Sequence, residues 1–304
     1  MKFSLFSDFH HFPGYFMTGT YEDLAVIQKR AEQENVDFII HAGDLCHGPG
    51  DVADFVKCYT DFHIPSYHVL GNHDTDHTAY EQTLKLYNMP DGHYFFDCKG
   101  YRFIACDPNY YLLDGEYIHY SLGNYYAHGP MRDYMPPEQL QWLEETIASS
   151  PYPCVIISHE SFEREADGVK NWADVRKIIN EANRRKAHSV ILCINGHHHR
   201  DNIRILDNVC YFEINSTNYD WLEEAYDGFP EELCEKYKGL SHTLVYNDPI
   251  HAIVTLEGTT ITIDGMESSM FMGINREHTK NNYVYDRSGR PVVPRVQSAK
   301  ITLG

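Results

Sequence analysis

The sequence predicts an α/β fold built on a largely parallel sheet covered by helices. Three observations point there. Short apolar runs of strand length alternate with amphipathic helical segments through the first two thirds of the chain. The 304 residues, 42% of them apolar, are enough to bury a substantial core. Aspartates, asparagines and histidines gather just after the predicted strands, where a parallel sheet aligns its carboxyl ends along one ligand-binding edge.

Taken in order, "KFSLFS" (2–7) reads as an apolar strand. "TYEDLAVIQKRAEQEN" (20–35) opens with a Thr20/Asp23 capping pattern and puts Leu24, Ile27 and Ala31 on one face, which predicts a helix. "VDFIIHAG" (36–43) is a buried strand, "DVADFVKCYT" (51–60) a helix, "PSYHVLG" (65–71) a strand and "DHTAYEQTLKLYN" (76–88) a helix. "HYFFDCKGYRFIACD" (93–107) reads as a hairpin turning at Lys99-Gly100. The tyrosine-rich stretch 108–135 has poor periodicity and reads as loop.

"PPEQLQWLEETIAS" (136–149) places proline at a helix start. It is followed by a buried strand (153–159), a helix (169–185), a strand (188–196) and a hairpin (202–207 with 209–216). Residues 217–240 are irregular and acidic, and three short strands follow at 242–247, 251–258 and 260–265. "DRSGRPVVPR" (286–295) breaks any regular element. One catalytic domain, 1–265, with a C-terminal extension, 266–304, is the expected organisation. The extension's last strand either folds back or pairs with another subunit, so a homo-oligomer stays open.

Forty-four acids against 25 bases give a net charge of −19, which opposes broad contact with nucleic-acid phosphates or anionic lipid. Eight cysteines without a Cys-x-x-Cys pair, several inside apolar runs, read as reduced thiols of a cytoplasmic protein. No stretch has signal-peptide or membrane-spanning character.

Nineteen histidines matter only where they collect. Asp8, His10 and His11 follow the first strand; His41, Asp44 and His47 lie around the end of the second; Asn72, His73 and Asp74 follow the third. His159 follows "CVIIS", and "GHHHR" follows "VILCIN". Singly, each is turn chemistry: Gly-Asp is a common turn dipeptide, and Asn or Asp caps helices. Together they bring a dozen Asp, Asn and His side chains to one rim. Imidazole with carboxylate, without thiolate, suits a first-row metal such as Mn, Fe, Zn, Co or Ni. Eight or so ligands exceed what one open ion needs and suit two, held roughly 3.5–4 Å apart.

Asp-x-His, Gly-Asp, Gly-Asn-His-Asp, His and Gly-His-x-His, in that order, resemble the motifs of the calcineurin-like metallophosphoesterases. The resemblance implies a four-layer α/β/β/α sandwich of two mixed sheets flanked by helices, with the metal site at the strand carboxyl ends. One ion would take Asp8, His10 and His199, the other Asn72, His159 and His197, and Asp44 would bridge them. His73 would stand near the leaving-group oxygen, oriented by a hydrogen bond to Asp74. His198 would point away, and Gly196 would let the strand turn sharply. His47 departs from the aspartate that many relatives carry there, and the arginine of the serine/threonine phosphatase branch is missing. His47, His11 and His41 are expected to support or pack.

The implied chemistry is two-metal hydrolysis of a phosphoester by a hydroxide between the cations, with Mn, Fe or Zn as cofactor. A small phosphodiester of cyclic-nucleotide or glycerophosphodiester type is the expected substrate. A phosphomonoester or nucleotide diphosphate, a nuclease and a catalytically silent metal-binding scaffold are the alternatives. Asn109, Tyr125 and Arg200 are candidate substrate contacts, with Tyr110, Tyr111, Tyr126 and Arg132 in the same loop region or beside it.

Overall fold

Strands that are apolar on both faces need a cover on each side, and this chain supplies it by stacking two sheets and flanking them with helices. A computed structural model describes residues 1–163, 168–222, 225–274 and 293–304. Of the stretch expected to break regular structure, 286–292 lies outside the described residues.

The first half comprises β1 (Lys2–Phe6), α1 (Tyr21–Gln33), β2 (Phe38–His41), α2 (Ala53–Thr60), β3 (Ser66–His68), α3 (Tyr80–Leu86), β4 (Tyr94–Cys98), β5 (Tyr101–Ala105), β6 (Tyr110–Leu113), β7 (Glu116–His119) and α4 (Pro137–Ala148). The second comprises β8 (Cys154–Ile157), α5 (Trp172–Arg185), β9 (Val190–Asn195), β10 (Asn202–Leu206), β11 (Val209–Glu213), β12 (Tyr219–Trp221), α6 (Glu231–Lys236), β13 (Thr243–Val245), β14 (Ala252–Glu257), β15 (Thr260–Asp264) and β16 (Ala299–Thr302).

One sheet has the order β16-β15-β14-β1-β2-β3 and the other β10-β11-β9-β8-β5-β4. Each is parallel at its centre and antiparallel toward an edge: β1 pairs β2 and β2 pairs β3 in parallel, whereas β14 runs antiparallel to β1. In the second sheet β5, β8, β9 and β11 are parallel, with β4 and β10 antiparallel at the edges. Period-two alternation sorts the side chains between layers. Phe3 and Leu5 of β1, Phe38 and Ile40 of β2, and Val155 and Ile157 of β8 meet in the core between the sheets. Phe6 and Ile39 point outward onto Leu24, Ile27, Phe55 and Val56 of α1 and α2. Ile156 points outward onto Leu143, Ile147, Val175 and Ile179 of α4 and α5.

The expected parallel strands are therefore divided between two mixed sheets, because the β4–β5 hairpin, turning through left-handed Lys99 and Gly100, starts a second sheet. The Thr20/Asp23 capping box forms as the sequence predicts. The stretch 108–135 departs from the loop reading. It contains the β6–β7 hairpin, whose turn places Asp114 and Gly115 at positive φ, and a 3₁₀ segment, Asn124–Met131. Asp114-Gly115 is a hairpin-turn dipeptide and marks this turn in the sequence. The acidic stretch, expected to be irregular, contains β12, which pairs with β13. At the far end β16 folds back onto β15.

His68, at the end of β3, is buried, stacked on Tyr87 at 4.0 Å, and has no hydrogen-bond partner on either ring nitrogen. Burial pushes its pKa from 6.5 down to about 3, so the unfolded chain binds one more proton between those values. Stability from this residue is present above pH 6.5 and lost as the pH falls. His68→Phe should therefore flatten the pH dependence of folding stability by about 1.4 kcal/mol per pH unit between about pH 4 and 6. Denaturant unfolding across that window measures the slope, and an unchanged slope would refute the assignment.

Candidate metal centre

Five strand ends deliver the site. Asp8 and His10 follow β1, Asp44 follows β2 and Asn72 follows β3, all in the first sheet; His159 follows β8, and His197 and His199 follow β9, in the second. Asp8, His10, Asp44, His197 and His199 all adopt left-handed backbone, with φ of 51°, 52°, 61°, 69° and 50°. Non-glycine residues pay about 1–3 kcal/mol each for such conformations, which persist where surrounding contacts over-determine them. Here the Asp8 amide donates to the Gly43 carbonyl and the His10 amide to the Asp44 carbonyl, both at 2.9 Å. The His197 amide donates to Asp8 Oδ2 at 3.1 Å, tying the second sheet to the first.

The chain turns sharply at Gly196, whose carbonyl accepts the His198 amide at 2.8 Å, but Gly196 itself is not in a left-handed conformation. Its requirement is space: a Cβ there would collide with Ser7 Oγ and Asp8 Oδ2.

Three imidazoles converge on one carboxylate oxygen. Asp8 Oδ1, buried and without a hydrogen-bond partner, lies 3.3 Å from His199 Nε2, 3.8 Å from His159 Nε2 and 3.9 Å from His10 Nε2. Each ring engages another acceptor through Nδ1. His159 Nδ1 donates to the Ala42 carbonyl at 2.8 Å, His199 Nδ1 to the Tyr219 carbonyl at 2.9 Å, and His10 Nδ1 contacts His47 Nε2 at 3.0 Å. That pattern engages each ring at Nδ1 and turns three Nε2 atoms inward, the orientation a metal ligand requires; without a metal, His159 Nε2 hydrogen-bonds Asp44 Oδ2 at 3.0 Å. Two of those nitrogens, on His10 and His199, are only 3.3 Å apart.

Asp44 sits between the two sides. Its Oδ2 is 3.0 Å from His159 Nε2 and 4.0 Å from His10 Nε2, while its Oδ1 accepts the His73 amide at 2.8 Å. Asn72 is buried with Oδ1 unpartnered and its amide nitrogen donating to Tyr125 Oη at 3.2 Å. Asp8-His10-His199, Asp8-Asp44-His159 and His159-Glu160-His197 each gather donor atoms within 4.8 Å of one another. The residues fit a pair of divalent cations: Asp8 Oδ1 and Asn72 Oδ1 are buried without partners, and three imidazole Nε2 atoms surround the former.

The electrostatics agree. Burial, reinforced by His47 and His199, holds His10 well below its ordinary pKa, and burial together with His159 does the same for His197. Burial opposes charge on His159, yet Asp44 and Asp8 drive its pKa well above the usual value, so the local field strongly favours positive charge. Glu160 was not anticipated, although it directly follows His159. Both its oxygens are buried without partners, and burial, aided by Asp133, pushes its carboxyl up to about 8.

The expected orienter of His73 is corrected. Asp74 does not touch that ring; its carboxylate accepts the amides of Gly71, Asp44, Leu45 and Cys46 and the Tyr87 hydroxyl, and so staples the loop after β2 to the loop after β3. His73 Nδ1 instead pairs with Asp76 Oδ2 at 2.7 Å. Two candidate substrate contacts are also relocated. Asn109 is fully buried and donates to the Leu70 carbonyl and to Asp107; Tyr125 is fully buried and donates to Asp76 Oδ1 at 2.7 Å. Arg200, the third candidate contact, pairs with Asp220 at 2.6 Å.

His198 turns aside to Glu213 at 2.9 Å, and His11 stacks on Phe55 and bonds the Gly19 carbonyl. His41 packs against Phe6. Tyr126 and Trp221, the latter unforeseen, are the exposed aromatics near the cluster: Tyr126 Oη reaches Asp76 at 3.0 Å, and the Trp221 ring lies 6.1 Å from both His10 and His199.

The sequence profile described as calcineurin-like phosphoesterase matches residues 1–201. Among solved structures, a dimetal phosphatase from Danio rerio superposes with a TM-score of 0.59 at 14% identity, covering 100% of this chain and 99% of that one. GAP50, the anchor in the inner membrane complex of Plasmodium, gives 0.56 at 14% identity over 100% and 89% of the chains. At such identity these two show a shared fold. No curated protein matches the sequence. Among the described residues no helix is long and apolar enough to cross a membrane.

Gly196→Ala tests the packing beneath Asp8. The added methyl should displace Ser7 and Asp8, lowering Mn²⁺ affinity by about 10-fold or more. Calorimetric titration of the metal-free protein measures it, and affinity equal to wild type would show that the contact yields.

Proposed function

Because the chain belongs to the calcineurin-like phosphoesterases, metal-dependent hydrolases of phosphoric esters, we propose that it cleaves a small-molecule phosphodiester with two divalent transition-metal ions, Mn, Fe or Zn. The observation that supports this best is the convergence of three Nδ1-tethered imidazoles and Asp44 on Asp8 Oδ1. Asp8, His10 and His199 would hold one ion, His159, His197 and Asn72 the other, with Asp44 shared; Glu160 lies within reach of the second group. Bound there, such ions supply an ionised water near neutral pH and offset charge on the phosphate.

The protein's own groups do the rest. Asp44 Oδ1 fixes the His73 backbone, and Asp76 occupies His73 Nδ1, which leaves Nε2 as the nitrogen available to a leaving-group oxygen. Asp74 ties the two loops that carry Asp44 and His73, so metal side and leaving-group side keep a fixed spacing. Asp74 would thus act on catalysis through loop geometry.

The net charge of −19 and the engagement of Arg200 by Asp220 favour a singly charged diester over a dianionic monoester or a polynucleotide. Eight cysteines, none in a disulfide, fit a reducing compartment, and on that ground we place the enzyme in the cytoplasm.

Protein reconstituted separately with Mn, Fe, Zn, Co and Ni should hydrolyse an aryl diester at least about 10-fold more efficiently than the monoester of the same aryl group, about 1.4 kcal/mol of discrimination. Full metal load without hydrolysis of either ester would overturn the reading. Asp44→Asn should lose metal and turnover together. His73→Ala should retain both ions by elemental analysis while kcat falls by about 10²–10⁴; full turnover in that variant would remove His73 from the chemistry.

A further inference from the structure

Asp76 stands beside the site, and none of the five sequence motifs includes it. Its carboxylate is nearly sealed from solvent, and among the described residues every donor to it is a side chain. His73 Nδ1 lies 2.7 Å from Oδ2, His47 Nδ1 3.1 Å and Tyr126 Oη 3.0 Å, while Tyr125 Oη lies 2.7 Å from Oδ1. Asp74, two residues earlier, accepts four backbone amides and one phenol, the pattern of a loop staple. Two imidazoles and two phenols held by one buried acid do not stabilise a turn; they orient rings.

The chain of contacts continues beyond Asp76. Since His47 donates from Nδ1, its Nε2 is an acceptor, and it faces His10 Nδ1 at 3.0 Å. His10 is thereby left with its lone pair on Nε2, the nitrogen that points at Asp8 and His199. The other two converging histidines, His159 and His199, are set by backbone carbonyls, which no side-chain substitution removes. His10 alone of the three depends on a side chain.

We propose that Asp76 is a positioning residue with two outputs: directly it aims the His73 ring at the leaving group, and through His47 it fixes the tautomer of His10. The relay Asp76–His47–His10 then links leaving-group chemistry to the metal side through one carboxylate. Tyr125 strengthens the link, since its hydroxyl joins Asp76 to the Asn72 amide. This rests on the two-metal reading above.

The test uses the full chain and two readouts. In Mn²⁺ titration calorimetry of the metal-free protein, which needs no substrate, Asp76→Asn and His47→Phe should each weaken one of two sites by about 10-fold and leave the other unchanged. In kinetics on aryl diesters of graded leaving-group acidity, metal-saturated Asp76→Asn should lose kcat by about 100-fold on the poorest leaving group and less than about 10-fold on a nitrophenyl group, with KM within about twofold. His47→Phe at saturating metal should keep the wild-type leaving-group dependence, which separates the two outputs. Asp76→Asn is isosteric, so it decides the matter even if Asp76→Ala does not fold. Metal affinity and leaving-group dependence both equal to wild type, or a loss that is uniform across leaving groups, would overturn the proposal. A fully loaded wild-type protein without hydrolase activity would overturn the functional reading instead, leaving the calorimetric arm to judge the relay.

Discussion

Everything at the centre of this molecule turns on the crowding of donor atoms around Asp8 Oδ1. A buried carboxylate oxygen without a hydrogen bond, faced by the inward Nε2 atoms of three imidazoles whose Nδ1 atoms are engaged elsewhere, is a cluster that needs positive charge at its centre. Leaving even one such ion unpaired in a protein interior costs several kcal/mol. The site adds to that cost by bending five residues into left-handed backbone. Positive charge is the one thing that turns these penalties into binding energy, and the upward push on His159 by Asp44 and Asp8 shows the sign of the field. The donors are hard and borderline, oxygen and imidazole nitrogen, which matches a first-row divalent ion.

The constraint explains why the motifs lie so far apart in the chain. Asp8 and His199 are separated by most of the sequence because they come from different sheets, and the cluster sits on the seam where both sheets end. The seam is stitched both through the cluster and beside it: the Ala42 carbonyl accepts from His159, Asp8 accepts the His197 amide, and the Ser7 carbonyl accepts the Thr217 amide. Gly196 permits the approach by leaving out a side chain where Ser7 and Asp8 press closest. The core between the sheets thus fixes the spacing of these side chains, which need few degrees of freedom of their own.

How much of this was legible follows from the kind of contact involved. Strands and helices with strong periodicity, such as β1, β2, β9 and α1, were readable because burial acts on each side chain in sequence order. Asp8, His10, Asp44, Asn72, His159, His197 and His199 were readable because their types recur at strand ends, and a sheet aligns strand ends without further information. The division into two sheets was not written in the residues by themselves; it came through resemblance. The β6–β7 hairpin was marked by Asp114-Gly115 and passed over amid tyrosines. Asp76 could not have been preferred over Asp74, since within a 3₁₀ turn neighbouring acids point to different partners and spacing does not say which.

The tyrosine-rich stretch packs itself down. A long loop at the mouth of a cleft invites a stacking reading, yet Tyr125 is sealed inside, packed on Tyr120 at 4.4 Å, with Arg132 over its ring. Asn109 is used up in bracing the end of β3. The region therefore acts on the site from behind, by holding Asp76 and Asn72 in place, and contributes only Tyr126 to the open side. With Trp221 beside His10 and His199, the surface offered near the cluster is aromatic and the nearby cation Arg200 is engaged by Asp220. On the proposed function, such a mouth would favour a substrate with a flat apolar body and few phosphates, because rings gain from contact area whereas an acidic protein repels each additional phosphate.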